Sequence, residues 1–263
     1  MEQNPRVVGI RFKTAGEISY YDPAQEDLKR DDYVVAETPE GLNVGWVAIP
    51  SQPIIEKQLQ EPLKPILRKA STADLQRWNE LKEKAGEALS RSKEMAASHN
   101  LPMKLVSAEY NLEGDRVTIC FTSEERVDFR QFVRELKDAL KVRSELRQIG
   151  PRDEAKIVGG IGRCGIVLCC NCWLARFSNV GIKMAKVQNL PLSPPNLSGA
   201  CNKLKCCLRF EYEQYVAMNA RLPKIGEHVG TPLGIATVVV GHPLKDSVTV
   251  RLESQAWVEV PLE

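Results

Sequence analysis

Between Ala155 and Phe210 the sequence has no Asp or Glu, yet it carries Lys156, Arg163, Arg176, Lys183, Lys186, Lys203, Lys205 and Arg209. Seven of the eight cysteines also fall in this window, and only Cys120 lies outside it. The chain as a whole is close to charge balance, with 36 Lys+Arg against 34 Asp+Glu, so the gap in acidic residues is local. Such segregation marks a functional centre built around sulfur. Cys120, in the middle of a strand-like run, reads as a small core residue.

The cysteines form two similar clusters, Cys164-x4-Cys169-Cys170 and Cys201-x4-Cys206-Cys207, each following a glycine: Gly162 in one case, Gly199 in the other. Glycine lets a backbone fold tightly around a bound group and aim N–H groups at it. Soft thiolates select zinc, copper(I) or iron–sulfur clusters. Zinc sites favour two-residue gaps, often with histidine, whereas here the gap is four and His99, His228 and His242 all lie elsewhere. A four-residue gap is at home in iron–sulfur proteins, and Cys164-x4-Cys169-x2-Cys172 with a distant Cys201 imitates a ferredoxin spacing. We therefore expect an iron–sulfur cluster, a [4Fe-4S] centre first, with zinc as the alternative. The ligand candidates are Cys164, Cys169, Cys170, Cys201, Cys206 and Cys207. A four-iron cluster takes four ligands and two take eight, so six thiols imply spares or ligands from a partner chain.

Hydrophobic residues at 43% and charged residues at 27% describe an ordinary globular composition. No apolar run approaches a membrane span, and the polar start at Met1–Arg6 does not read as a secretory signal. A reducing, cytoplasmic setting is expected, in which clustered cysteines serve metal or redox chemistry rather than disulfides. No phosphate-binding loop, Ser/His/Asp set or paired carboxylates stand out, so general acid–base catalysis lacks obvious players.

The fold class expected is α+β: a central αββαβ unit and a cysteine-rich module flanked by small β-barrel-like modules at the two ends. Residues 1–50 read as short strands, and residues 51–65, proline-rich, as a linker. Within 66–154, Ser71 and Asp74 form a capping box, followed by Leu75, Trp78, Leu81, Ala85 and Leu89 at helical spacing. Strands over Lys104–Tyr110 and Arg116–Thr122, a helix capped by Asp128 and a strand over Ser144–Ile149 complete that unit. Residues 155–222 form the cysteine-rich module with a helix. Residues 223–263 form the second β module, where Thr231–Val240 reads as one strand and Ser247–Leu252 as another.

At this point the residues are recognisable. Glu145-Leu146-Arg147-Gln148-Ile149-Gly150-x-Arg152-Asp153-Glu154-Ala155-Lys156, then Gly159-Gly160-x-Gly162-x-Cys164-Gly165-x-x-Leu168-Cys169-Cys170, resembles the PSP1 C-terminal domain family, in particular its bacterial YaaT/RicT (stage 0 sporulation) branch. Ile182-Lys183-Met184-Ala185-Lys186-x-Gln188-Asn189-Leu190 and Ser198-Gly199-x-Cys201-x-x-Leu204-x-Cys206-Cys207-Leu208 continue the match. The resemblance implies a non-enzymatic cytosolic regulator that joins small helical partners of the YlbF/YmcA type, shares iron–sulfur clusters with them and is linked to the endoribonuclease RNase Y in mRNA processing. Cys172 departs from the family pattern and is left off the ligand set. Arg163, Lys183, Lys186, Gln188, Asn189, Lys203 and Lys205 are the candidates for contacts with a partner or nucleic acid. Two other classes stay open: direct RNA or DNA binding through the basic window, and an iron–sulfur redox protein. Neither membrane insertion nor a small-molecule substrate is expected.

Overall fold

The computed structural model describes residues 6–24, 26–53 and 63–262. The chain divides into two compact units, Met1–Arg176 and Phe177–Glu263, so the segment 155–222 is split between them. Helices and strands mix in three separate sheets, an α+β class as expected. All three sheets are open. The barrel-like closure expected at the two ends is absent among the described residues.

The first unit opens with β1 (Arg6–Arg11), β2 (Ser19–Tyr21), β3 (Tyr33–Thr38), β4 (Gly41–Pro53) and β5 (Ile66–Lys69), ordered β2-β1-β4-β3-β5 with every pairing antiparallel. Val7, Val8 and Ile10 of β1 and Val34, Val35 and Ala36 of β3 are all buried. Such continuous apolar runs are what a sheet covered on both faces requires. One face packs Val8, Ile10, Val34, Val47 and Ile66 together. The other meets Leu75 and Trp78 through Val35 and Val44. Strand β5 pairs with β3, so residues 66–69 belong to this sheet rather than to the αββαβ unit. Most of the linker at 51–65 lies outside the described residues; 51–53 continue β4.

Helix α1 (Thr72–Ser98) starts at the expected capping box, with Ser71 and Asp74 bonded reciprocally. Its buried face is Leu81, Ala85, Ala88, Ser92 and Ala96. These small side chains let the helix lie close to a sheet of β6 (Lys104–Tyr110), β7 (Arg116–Thr122) and β8 (Arg143–Gln148), ordered β6-β7-β8. The β7–β8 pair is parallel and is bridged by α2 (Arg130–Leu140). Phe121, Phe132, Leu136, Ile119 and Val117 fill the core. Phe129, not Asp128, is the N-cap of α2, although the Asp128 carboxylate accepts from the Arg130 N–H at 3.1 Å.

Asp74 also pairs with Arg68 of β5. Hydrogen bonds from Arg68 first, and then from Ser71, hold its carboxyl well below the usual carboxylate range. A carboxyl depressed in the folded state contributes stability that is present above its unfolded pKa of about 3.9 and fades as the pH falls below it. Asp74→Ala is expected to cost about 0.5–2 kcal/mol at pH 7. The gap between variant and parent in urea melts should narrow steadily from about pH 5 to pH 2. A gap independent of pH would contradict this origin.

Two short helices, α3 (Pro151–Val158) and α4 (Cys169–Cys172), close the first unit. The second unit begins with α5 (Ile182–Val187), α6 (Pro194–Leu197), α7 (Cys206–Phe210) and α8 (Tyr212–Asn219). Their small core is Ala185, Leu197 and Leu208, with Val180, Met184 and Leu204 against it. The Asn219 amide donates to the Val187 carbonyl at 2.9 Å, tying α8 to α5. An antiparallel meander follows: β9 (His228–Thr231), β10 (Gly234–His242), β11 (Ser247–Leu252) and β12 (Trp257–Pro261), around Ala236, Val238, Val248 and Val250. The single strand expected over Thr231–Val240 is broken: Thr231 pairs with Gly234, and Pro232-Leu233 form the turn. Its order, β12-β11-β10-β9, is not that of the first sheet, so the two ends do not repeat one another.

Candidate functional site: two matching cysteine knuckles

Each cysteine cluster sits on a small knuckle, and the two knuckles have the same internal wiring. In the first, Gly162 N–H donates to the Ile166 carbonyl (2.7 Å), Gly165 N–H to Gly162 (3.0 Å) and Leu168 N–H to Gly160 (3.0 Å). In the second, Gly199 N–H donates to Lys203 (2.9 Å), Asn202 N–H to Gly199 (3.0 Å) and Lys205 N–H to Leu197 (2.8 Å). The isolated bridges Ile161–Val167 and Ser198–Leu204 correspond as well. At the tip, Gly165 and Asn202 both take the left-handed conformation, with φ of 78° and 57°. Gly and Asn are the residues that adopt it at least cost.

The sulfurs are placed alike. Cys164 and Cys201 lie in the turn, while Cys169-Cys170 and Cys206-Cys207 open α4 and α7. A Cβ added at Gly162 would come within 3.2 Å of Cys164 Sγ, and one at Gly199 within 3.8 Å of Cys201 Sγ. The glycine two residues before each turn cysteine therefore leaves room for the sulfur beside the backbone. All eight cysteines are thiols. Cys164, Cys172 and Cys207 are exposed, Cys169, Cys201 and Cys206 half-buried, and Cys170 buried.

The supports differ. The first knuckle leans on α3: Asn171 donates to the Lys156 carbonyl (2.9 Å) and Lys156 Nζ to the Ala175 carbonyl (2.8 Å). The second is fixed from below, where Leu208 is buried and its carbonyl accepts from Gln188 Nε2 at 2.7 Å. Gln188, expected to face a partner, is thus an internal brace of α7. Asn189 is exposed with its amide 3.3 Å from the Gly241 carbonyl. Arg163, Lys183, Lys186 and Lys203 are exposed and Lys205 half-buried. Arg176 pairs with Glu17 at 3.0 Å and Arg209 with Glu213 at 2.9 Å, so neighbouring acids answer part of the basic window.

The rims also differ. Ile161, Ile166 and Val167 around the first turn are 71%, 68% and 48% exposed, with Val158 and Trp173 nearby in sequence also exposed. Their counterparts in the second knuckle are Ser198, Lys203 and Leu204, giving a more polar, basic rim. Sequence reading missed this apolar tip because single exposed Ile and Val residues carry no periodic signal. It also missed α3, whose start was visible in Gly150-Pro151 followed by Asp153 and Glu154.

Thiols on tight, hydrogen-bonded turns are suitable donors for a soft metal or a cluster. Among the described residues no group of three or more His, Cys, Asp or Glu is gathered to hold a metal ion. Neither knuckle is a complete four-ligand site by itself. Among the described residues no helix is long and apolar enough to cross a membrane.

Residues 64–149 match the family described as PSP1 C-terminal conserved region, and residues 179–222 match PSP1-like protein, third domain. The chain is 43% identical over 246 residues to stage 0 sporulation protein YaaT of Bacillus subtilis (strain 168), covering 94% of this chain and 90% of that protein. An uncharacterized protein of Schizosaccharomyces pombe is 24% identical over 163 residues, 51% of this chain and 22% of that protein. No solved structure matches.

Proposed function

The chain belongs to the PSP1 family, among the relatives of stage 0 sporulation protein YaaT, and from that premise we propose that it is a non-enzymatic cytoplasmic regulatory adaptor carrying an iron–sulfur cluster. The observation that supports the reading most is the duplicated knuckle, which presents Cys164, Cys169 and Cys170 in one copy and Cys201, Cys206 and Cys207 in the other on the same backbone frame. In this reading each knuckle supplies part of a ligand set, and thiols of small helical partners of the YlbF/YmcA kind complete it. A bound cluster would supply a redox- and oxygen-sensitive anionic centre. The chain's own residues hold the turn sulfurs in place and offer the apolar tip at Ile161, Ile166 and Val167 for docking. The regulated activity is RNase Y-dependent mRNA processing, reached through protein contacts.

Anaerobic co-purification with such partners, followed by iron and acid-labile sulfide assays, tests this. Cys164→Ser and Cys201→Ser are each expected to remove most of the iron and to weaken partner retention. Negligible iron and sulfide in the parent complex would sink the proposal, and stoichiometric zinc in their place would replace it with the zinc reading. The exposed Lys183, Lys186 and Lys203 favour a second reading, direct RNA binding. It requires salt-sensitive binding by the isolated chain that is lost when these lysines are changed to Glu.

A further inference from the structure

The first unit holds a cleft of about 660 Å³ between its five-stranded sheet and the α1–β6–β7 layer, lined by Cys120 but by none of the knuckle cysteines. Two hydrogen bonds join its walls: Leu112 N–H donates to the Leu42 carbonyl at 2.7 Å, and the Arg116 side chain, through Nη1, to the Pro39 carbonyl at 3.3 Å. Gly41 turns there with φ of 113°, where a Cβ would meet the Asn111 amide at 2.9 Å. Asn111 is itself buried, and its carbonyl oxygen accepts from Gly114 and Arg116 N–H, both at 3.1 Å. The two layers are therefore joined to each other at this corner by hydrogen bonds.

The lining combines aromatic surface with positive charge. Trp46 of β4 and Trp78 of α1 both contribute, and Lys82 Nζ lies 3.2 Å from the centroid of the Trp78 ring. Lys13, Arg116 and Arg147 add three more cations, against the carboxylates of Glu40 and Glu109. Those carboxylates are engaged with cations of the same wall: Glu109 with Lys13 at 2.6 Å and Glu40 with Arg147 at 3.5 Å. Partial desolvation pushes the Lys82 ammonium pKa down while the residue stays exposed at the cleft. The volume lies within the range of small-molecule sites. Lys82 already covers the Trp78 ring, which leaves the Trp46 indole and the exposed Lys82 and Arg147 as the aromatic and cationic contacts of the cleft. An aromatic base bearing a phosphate uses both, through stacking and charge-assisted contacts.

We propose that this cleft binds a nucleotide, either free or as one residue of a single-stranded RNA, with the base against Trp46 and the phosphate toward Lys82 and Arg147. Calorimetric titration of the full chain with AMP, UMP, A6 and U6 RNA, and inorganic phosphate tests it. Saturable binding of the mononucleotides assigns the free ligand, and binding of the hexamers only assigns a strand; both support the cleft if Lys82→Glu/Arg147→Glu weakens binding by about tenfold or more, the loss of one charge-assisted contact. Both side chains are exposed, and Arg147→Gln repeats the test with a milder change. The proposal is overturned if neither ligand class saturates at millimolar concentration or if phosphate competes as well as the nucleotide. Hexamer binding that these variants leave unchanged overturns it too, because the RNA then sits elsewhere on the chain.

Discussion

Phe132→Ala should cost the first unit about 3–5 kcal/mol of unfolding free energy, the usual toll for emptying a large aromatic site. Phe132 is 1% exposed on α2 and packs with Leu136, Phe121 and Ile119 in the main core. Its ring also meets the His99 ring edge-on at 6.2 Å. His99 in turn reaches Glu135 on α2 at 2.6 Å. The cavity would therefore sit beneath the joint between α1 and α2, where two helices and a sheet limit collapse. A domain with about 5–15 kcal/mol in total would lose a large share of it. Urea unfolding followed by tryptophan fluorescence in a Trp173→Phe/Trp257→Phe background, which leaves Trp46 and Trp78 as reporters, measures the effect. Phe132→Leu, which preserves most of the volume, should cost less than about 1.5 kcal/mol. A loss below about 1 kcal/mol for the alanine variant would mean that this core is not the one that holds the unit together.

Gly45→Ala should destabilise the same unit by about 1–3 kcal/mol, although it adds only a methyl group. A Cβ there would stand 2.6 Å from Ile10 Cγ2, 3.0 Å from the Arg11 carbonyl oxygen and 3.0 Å from Phe12 Cδ1. Ile10 is fully buried and the carbonyl is backbone, so neither neighbour can swing away. Relief requires β1 and β4 to separate, which also moves Phe12 and Trp46 in the lining of the cleft. Gly86 is the internal control. It lies within α1 with nothing within 4 Å of an added Cβ, so Gly86→Ala should stabilise by about 0.8–1 kcal/mol through helix propensity. Thermal melts of the two variants should shift in opposite directions. A neutral Gly45→Ala would show that the β1–β4 contact has room for a methyl group.

Features set by neighbours in sequence were legible from the residues. The Ser71–Asp74 box depends on two side chains three residues apart, and it starts α1 where expected. Strands β6 and β7 are short apolar runs flanking the Glu113-Gly114-Asp115 turn, and both limits agree with expectation. The duplication of the cysteine clusters was equally plain. Features that depend on distant partners were not legible. Closure of a sheet depends on strand tilt and on which edges meet, and short β runs look the same in a barrel and in an open sheet. Strand β5 joined the N-terminal sheet because Val35 and Ala36 of β3 accept it as a neighbour across an undescribed stretch of chain. The Pro232-Leu233 turn was hidden because Leu233 and Ile235 make the run look continuously apolar, although both are more than half exposed. At the site, Gln188 looked like a surface contact because its polarity says nothing about the Leu208 carbonyl that needs its amide.

One knuckle lies in each compact unit, on either side of Arg176. Under the proposed function, a partner that engages both turns would be a bivalent ligand of one chain, its second contact forming intramolecularly once the first is made. Separating the units by cutting after Arg176 would then be expected to shorten the residence time of such a partner more than it weakens either contact alone.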